Sequence, residues 1–153
     1  MRREELSKTL EARDASALSV GVVVAEFNAD ITEAMLDGAL EALAEWGVPD
    51  GNIEILRVPG AFELPFGCLK LMERGKKDAL VAIGCVIKGE TDHDKYIASA
   101  ATEGLMRLSL ENKVPVGFGV ITTNDLAQAK ARSSSESNAG KNAAFAALTL
   151  ALA

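Results

Sequence analysis

His93 is the only histidine in the chain, and it sits in Gly84-Cys85-Val86-Ile87-Lys88-Gly89-Glu90-Thr91-Asp92-His93-Asp94, an apolar run that ends in a glycine turn and a helix start. Backbone N–H groups at such a turn can hold an anion, and an imidazole beside them can move protons to and from what is bound there. A His between two Asp residues is also what a solvated helix start looks like. Asp92 and Asp94 favour the charged imidazole, whereas the positive end of a helix disfavours it. A single histidine excludes a metal site built on several imidazoles and leaves general acid/base work near neutral pH open.

Three further segments carry residues of the right type. Glu26-Phe27-Asn28 follows the first β-branched run, so Phe27 either stacks on a flat heterocycle or closes the core. Val58-Pro59-Gly60-Ala61-Phe62-Glu63-Leu64-Pro65 reads as a tight turn whose amides and Glu63 carboxylate suit a polyol or a polar ring edge. Glu63 also has a plainer role, complementing the positive end of the next helix. Phe118 to Thr123, then Arg132 and Lys141, offer an aromatic wall and two cations within reach of a phosphate, though each cation alone is an ordinary surface charge. Cys68 and Cys85 lie in apolar stretches without CxxC spacing and read as buried, reduced thiols. Neither a GxGxxG after the first strand nor a GxxxxGK[ST] is present.

The elements that must position these residues follow from periodicity. SVGVVVAEF, NIEILRV, ALVAIGCVI and PVGFGVIT are short β-branched runs; between and after them stand DITEAMLDGALEALAEWG, ELPFGCLKLMERG, a helix to about Asn112 and two C-terminal helical stretches. Near-continuous apolar strands separated by helices predict a four-stranded parallel sheet covered on both faces, with ligands at the carboxyl ends of its strands. Asp30 with Glu33 reads as a capping box, Gly47 and Gly75 as C′ glycines, and Pro65 as a first-turn proline. Such a sheet has two edges to cover, and residues 1–17 are expected to serve as an arm. SSSES, the only low-complexity patch, is too short for a linker, and there is no internal repeat, so residues 1–153 are expected to form one domain.

Twenty-two acids against sixteen bases give a formal charge of −6, without a Lys/Arg run that could track a phosphate backbone. Nucleic acid and anionic membrane are therefore not expected partners. The opening MRREELSKTLEARD is charged throughout, and no run of about eighteen apolar residues occurs, so a cytoplasmic protein is expected.

Taken in order, FN, VPGAFELP, GCVIKGETDH and VGFGVIT resemble the lumazine synthase family, from about Ser19 to the C-terminus. The resemblance implies a flavodoxin-like, three-layer α/β/α sandwich whose arm adds to a neighbour's sheet. It also implies condensation of 5-amino-6-(D-ribitylamino)uracil with 3,4-dihydroxy-2-butanone 4-phosphate, releasing phosphate and water, with no metal or redox cofactor. On this resemblance Phe27 stacks on the pyrimidine, Ala61, Phe62 and Glu63 contact its ring and ribityl chain, and Cys85, Val86 and Ile87 line its pocket. Glu90 and Thr91 face the phosphate of the other substrate, and His93 shuttles protons. Phe118 and Arg132 arrive from a neighbouring subunit, Arg132 on the phosphate, while Lys141 is placed near a pyrimidine carbonyl. The implied assembly is a pentamer, with a sixty-subunit shell and an association with riboflavin synthase as further expectations. The chain departs from the family pattern at Glu26, where Arg is frequent, and at Asp94, where an aromatic commonly follows the histidine.

Three other readings compete. A member of the same family that stores riboflavin or a lumazine would keep the pocket without turnover. A container protein would assemble whether or not it converts substrate. A mononucleotide-binding domain of the flavodoxin kind needs a Ser/Thr-rich phosphate loop after the first strand, where this chain has EFNADIT.

Overall fold

The structure, a computed structural model, describes residues 11–153. Its elements run β1 (Val20–Ala25), α1 (Ala29–Glu45), β2 (Ile53–Val58), a 3₁₀ turn (Ala61–Glu63), α2 (Leu64–Arg74), β3 (Ala79–Ile87), α3 (His93–Asn112), β4 (Val116–Thr123), α4 (Leu126–Ser133) and α5 (Ala139–Ala151), with a short 3₁₀ turn (Asp50–Asn52) ahead of β2. The strands form one parallel sheet in the order β2-β1-β3-β4.

The central strands are apolar on both sides because both sides are covered. Val20, Val22 and Val24 of β1 and Ala79, Val81, Ile83 and Cys85 of β3 pack with α1, α4 and α5. Their alternate neighbours, Val23 and Ala25 and then Leu80 and Ala82, pack with α2 and α3. A period of two thus serves two cores at once, giving the expected three-layer sandwich with the strand order of flavodoxin-like folds. Trp46, at the end of α1, closes the first core against Phe145 of α5, with ring centroids 5.6 Å apart.

Two readings of helix ends are corrected. Asp30 does not cap α1; Asn28 does, in a left-handed conformation (φ 60°, ψ 47°) and with no side-chain cap bond. Glu33 cannot close a capping box because Arg57 of the edge strand β2 holds its carboxylate at both ends, with two hydrogen bonds of 3.0 Å. Gly75 is extended (φ 160°, ψ 167°), so α2 ends without a left-handed residue. Gly47 does have positive φ, 80°, and Val48 N–H bonds back to the Leu43 carbonyl at 2.9 Å, as a C′ glycine should. Pro65 stands in the first turn of α2 as expected.

α5 lies on β4 with almost no clearance. A Cβ at Gly117 would run into the carbonyl of Ala143, a backbone group that cannot swing aside. Gly117→Ala is therefore expected to lower stability by about 1–3 kcal/mol, read as a reduced urea midpoint with an unchanged slope.

Residues 1–10 of the expected arm lie outside the described residues. Just after them, the Arg13 guanidinium stacks 5.4 Å above the Trp46 ring and donates to the Thr149 carbonyl at 3.2 Å. Ala15 N–H donates to the Trp46 carbonyl at 2.8 Å, so this stretch packs on its own chain. Among the described residues no helix is long and apolar enough to cross a membrane.

Candidate active site

The loops at the carboxyl ends of β1, β2 and β3 enclose a pocket of about 480 Å³. It brings together nine of the residues singled out from sequence: Phe27, Ala61, Phe62, Glu63, Cys85, Val86, Ile87, Thr91 and His93. Glu90 sits in the same β3–α3 turn without lining the pocket.

Each wall has a local cause. The β1–α1 turn is held open by Asn28, whose short side chain tolerates the left-handed region and whose Nδ2 donates to the Cys85 carbonyl at 2.9 Å. That bond fixes the mouth of β1 against the end of β3 and sets Phe27 on the rim. Phe27 is 72% exposed, which rules out its core reading, and Phe62 is likewise exposed, at 58%. Glu63 stands at the N-terminus of α2, where the helix dipole favours its charge while it also faces the pocket. His93 is the first residue of α3, and its backbone N–H points to Thr91 Oγ1 at 3.4 Å. Asp92 is engaged by Lys95, one turn on, at 3.0 Å.

Both thiols are free and buried, and burial favours their protonated form. Burial pushes Cys68 up to about 12 and Cys85 up to about 11, from an ordinary 9.0. Because these folded values lie above the unfolded one, the stability they carry is complete below about pH 9 and is lost as pH climbs towards 11–12. At about pH 8 the native chain is expected to resist iodoacetamide while the urea-unfolded chain takes a label on each of its two cysteines, as read by intact mass. Prompt labelling of the native chain would contradict the buried-thiol reading.

Phe118 and Arg132 are placed elsewhere. They line a second concavity of about 620 Å³ along the edge strand β4 and helix α4, together with Thr122, Gln128, Ser137 and Asn142. The two concavities share no lining residue. Lys141 lines neither. Its ammonium is 2.8 Å from Glu45 and 3.2 Å from Glu41 of α1, and the hydrogen bond to Glu45 chiefly holds its pKa above the ordinary lysine value.

Sequence reasoning gave Asn28, Pro59, Gly60 and Ile97 no role of their own, yet they line the first pocket. An Asn between a strand and a helix was the one available signal, since it is among the few residues at ease with positive φ.

An open parallel sheet with a mostly apolar pocket at its strand ends, rimmed by aromatics and an imidazole, is the arrangement in which α/β proteins bind small molecules. A family model for 6,7-dimethyl-8-ribityllumazine synthase matches residues 17–153. Proteins named 6,7-dimethyl-8-ribityllumazine synthase are similar to most of it. That of Parabacteroides distasonis is 41% identical over 138 residues, covering 90% of this chain and 86% of its own. That of Bacteroides fragilis is 42% identical over 134 residues, covering 87% and 94%. That of Porphyromonas gingivalis is 43% identical over 135 residues, covering 88% and 84%. The chain belongs to the 6,7-dimethyl-8-ribityllumazine synthase family.

Proposed function

We propose that this chain is a transferase of riboflavin biosynthesis that condenses 5-amino-6-(D-ribitylamino)uracil with 3,4-dihydroxy-2-butanone 4-phosphate to 6,7-dimethyl-8-ribityllumazine, phosphate and water. The observation that carries the reading is the pocket in which Phe27, Ala61, Phe62, Glu63 and His93 converge, in a chain of this family.

In this reading the pyrimidine lies against Phe27 and the backbone of Cys85, Val86 and Ile87, and its ribityl hydroxyls donate to Glu63. The 5-amino group attacks the ketone and forms an imine with loss of one water, phosphate is eliminated, and the ribitylamino nitrogen closes the ring with loss of a second water. His93 accepts and returns the protons that these steps displace. Glu90 and Thr91 in the turn before α3 face the phosphate, the end at which the helix dipole favours an anion.

The site is completed by a second copy, whose Phe118 and Arg132 close over the pocket of the first. Support comes from the separation of the two concavities on one chain. We read the assembly as a homopentamer of single-domain chains working in the cytoplasm, able to close into a sixty-subunit shell and to pass its product to riboflavin synthase. Lys141, held by Glu41 and Glu45, enters the site only if assembly releases it.

The test is to mix the purified protein with both substrates and follow the absorbance and fluorescence of the lumazine. Product well above the spontaneous rate supports the reading. Tight riboflavin binding without product would replace it with a storage function.

A further inference from the structure

We propose that Asn138 is a positioning residue for Arg132: its side-chain amide fastens the end of α4 to α1 and so sets the point from which the guanidinium reaches the butanone phosphate in a neighbouring copy. The inference rests on the synthase reading above and concerns how that arginine is aimed.

α4 runs only from Leu126 to Ser133, and Ala129 is its one buried residue. So little buried apolar surface cannot by itself fix the direction of a two-turn helix. Its ends are held by polar contacts instead. At the start, the Asp125 carboxylate accepts from the Gln128 N–H at 2.8 Å. At the finish, the carbonyl of Ser133, the residue after Arg132, accepts from Asn138 Nδ2 at 3.1 Å. The same Nδ2 donates to the Ala34 carbonyl of α1 at 2.9 Å, and Oδ1 caps α5 by accepting from the Lys141 N–H at 3.1 Å. One buried amide thus joins three helices, and it lines neither concavity.

The chain makes room for this amide. Gly38 stands inside α1, where glycine weakens a helix, and a Cβ there would run into the Asn138 side chain. A Cβ on Gly140 would run into the Met35 carbonyl. α1 and α5 therefore close tightly around Asn138, and its amide cannot turn without breaking the bonds to Ala34 and Ser133. An arginine that acts across a subunit boundary depends on the placement of its helix, since misplacement by about an ångström can cost about a hundredfold.

The experiment uses the intact oligomer carrying Asn138→Ala, Asn138→Asp or Gly38→Ala, each with and without Arg132→Ala. Steady-state fluorescence gives kcat and the KM for the butanone phosphate, calorimetry gives the Kd of the pyrimidine, and light scattering gives particle size. Asn138→Ala is expected to raise the KM about tenfold, with the pyrimidine Kd and particle size unchanged. Asn138→Asp keeps an acceptor for the Lys141 N–H but has no N–H to give, so it should raise the KM as much. Gly38→Ala, which leaves Asn138 in the chain, should do the same by displacing its amide. Once Arg132 is Ala, each of the three should change the KM less than about twofold, because the group they aim is gone. Losses that persist undiminished in that background, or that fall equally on both substrates, overturn the proposal and leave Asn138 a cap of α5. A KM unchanged in all three variants overturns it as well. Should Arg132→Ala itself leave the KM unmoved, the phosphate role of Arg132 fails and takes this inference with it. A large effect of Arg132→Ala beside indifferent Asn138 and Gly38 variants fails this inference alone.

Discussion

Replacing His93 with Ala is expected to lower kcat about a hundred- to ten-thousandfold and to leave a measurable residue of turnover. The loss is large because imine formation, phosphate elimination and ring closure each wait on a proton, and His93 is the only imidazole in the chain. The residue remains because holding two small molecules in reacting geometry supplies up to about 7–11 kcal/mol independently of proton transfer. The pocket built by Phe27, Asn28, Phe62 and Glu63 does not depend on the imidazole, so KM for the pyrimidine should hardly move. Steady-state kinetics of the purified variant against its parent decide the matter. A variant with parental kcat would remove His93 from the chemistry.

Arg132→Ala is expected to raise KM for the butanone phosphate a hundredfold or more, with the pyrimidine Kd nearly unchanged. Charge-assisted hydrogen bonds are worth about 1.5–3 kcal/mol, and a guanidinium can offer a phosphate two in parallel. A loss of about 3 kcal/mol corresponds to more than a hundredfold. Arg132→Lys keeps the charge and loses the fork, so it should recover only part of the affinity. Arg132 stands on α4, beside the β4 concavity and away from the Phe27 pocket. The effect is therefore expected only where a second copy presents it. Equal losses on both substrates would point to damaged assembly.

Much of this was legible in the sequence wherever burial dictates pattern. β3 runs from Ala79 to Ile87, the whole of the ALVAIGCVI stretch, because helices cover both sides of it and leave no room for polar residues. Edge strand β2 is less distinct, with Glu54 and Arg57 turned to ion pairs at its rim. The pocket was legible because the strand ends converge there by topology, so residues distant in sequence were bound to meet. Tertiary competition was not legible. Glu33 has the spacing of a capping box, yet a cation from β2 claims it, and no local template contains Arg57. The division of Phe118 and Arg132 from the other site residues came from the family resemblance alone, since residue patterns do not tell to which side of β4 the loops depart.

The lack of any shared lining residue between the two concavities has a consequence for inheritance. With the site shared between copies as proposed, a cell carrying one allele damaged at His93 and another damaged at Arg132 makes mixed assemblies. Wherever a subunit intact at His93 borders one intact at Arg132, a complete site is restored. Growth without added riboflavin should then return in the heterozygote while neither homozygote supports it. Two lesions on the same wall, such as Phe27 and His93, restore no complete site by mixing unless a wild-type copy is present.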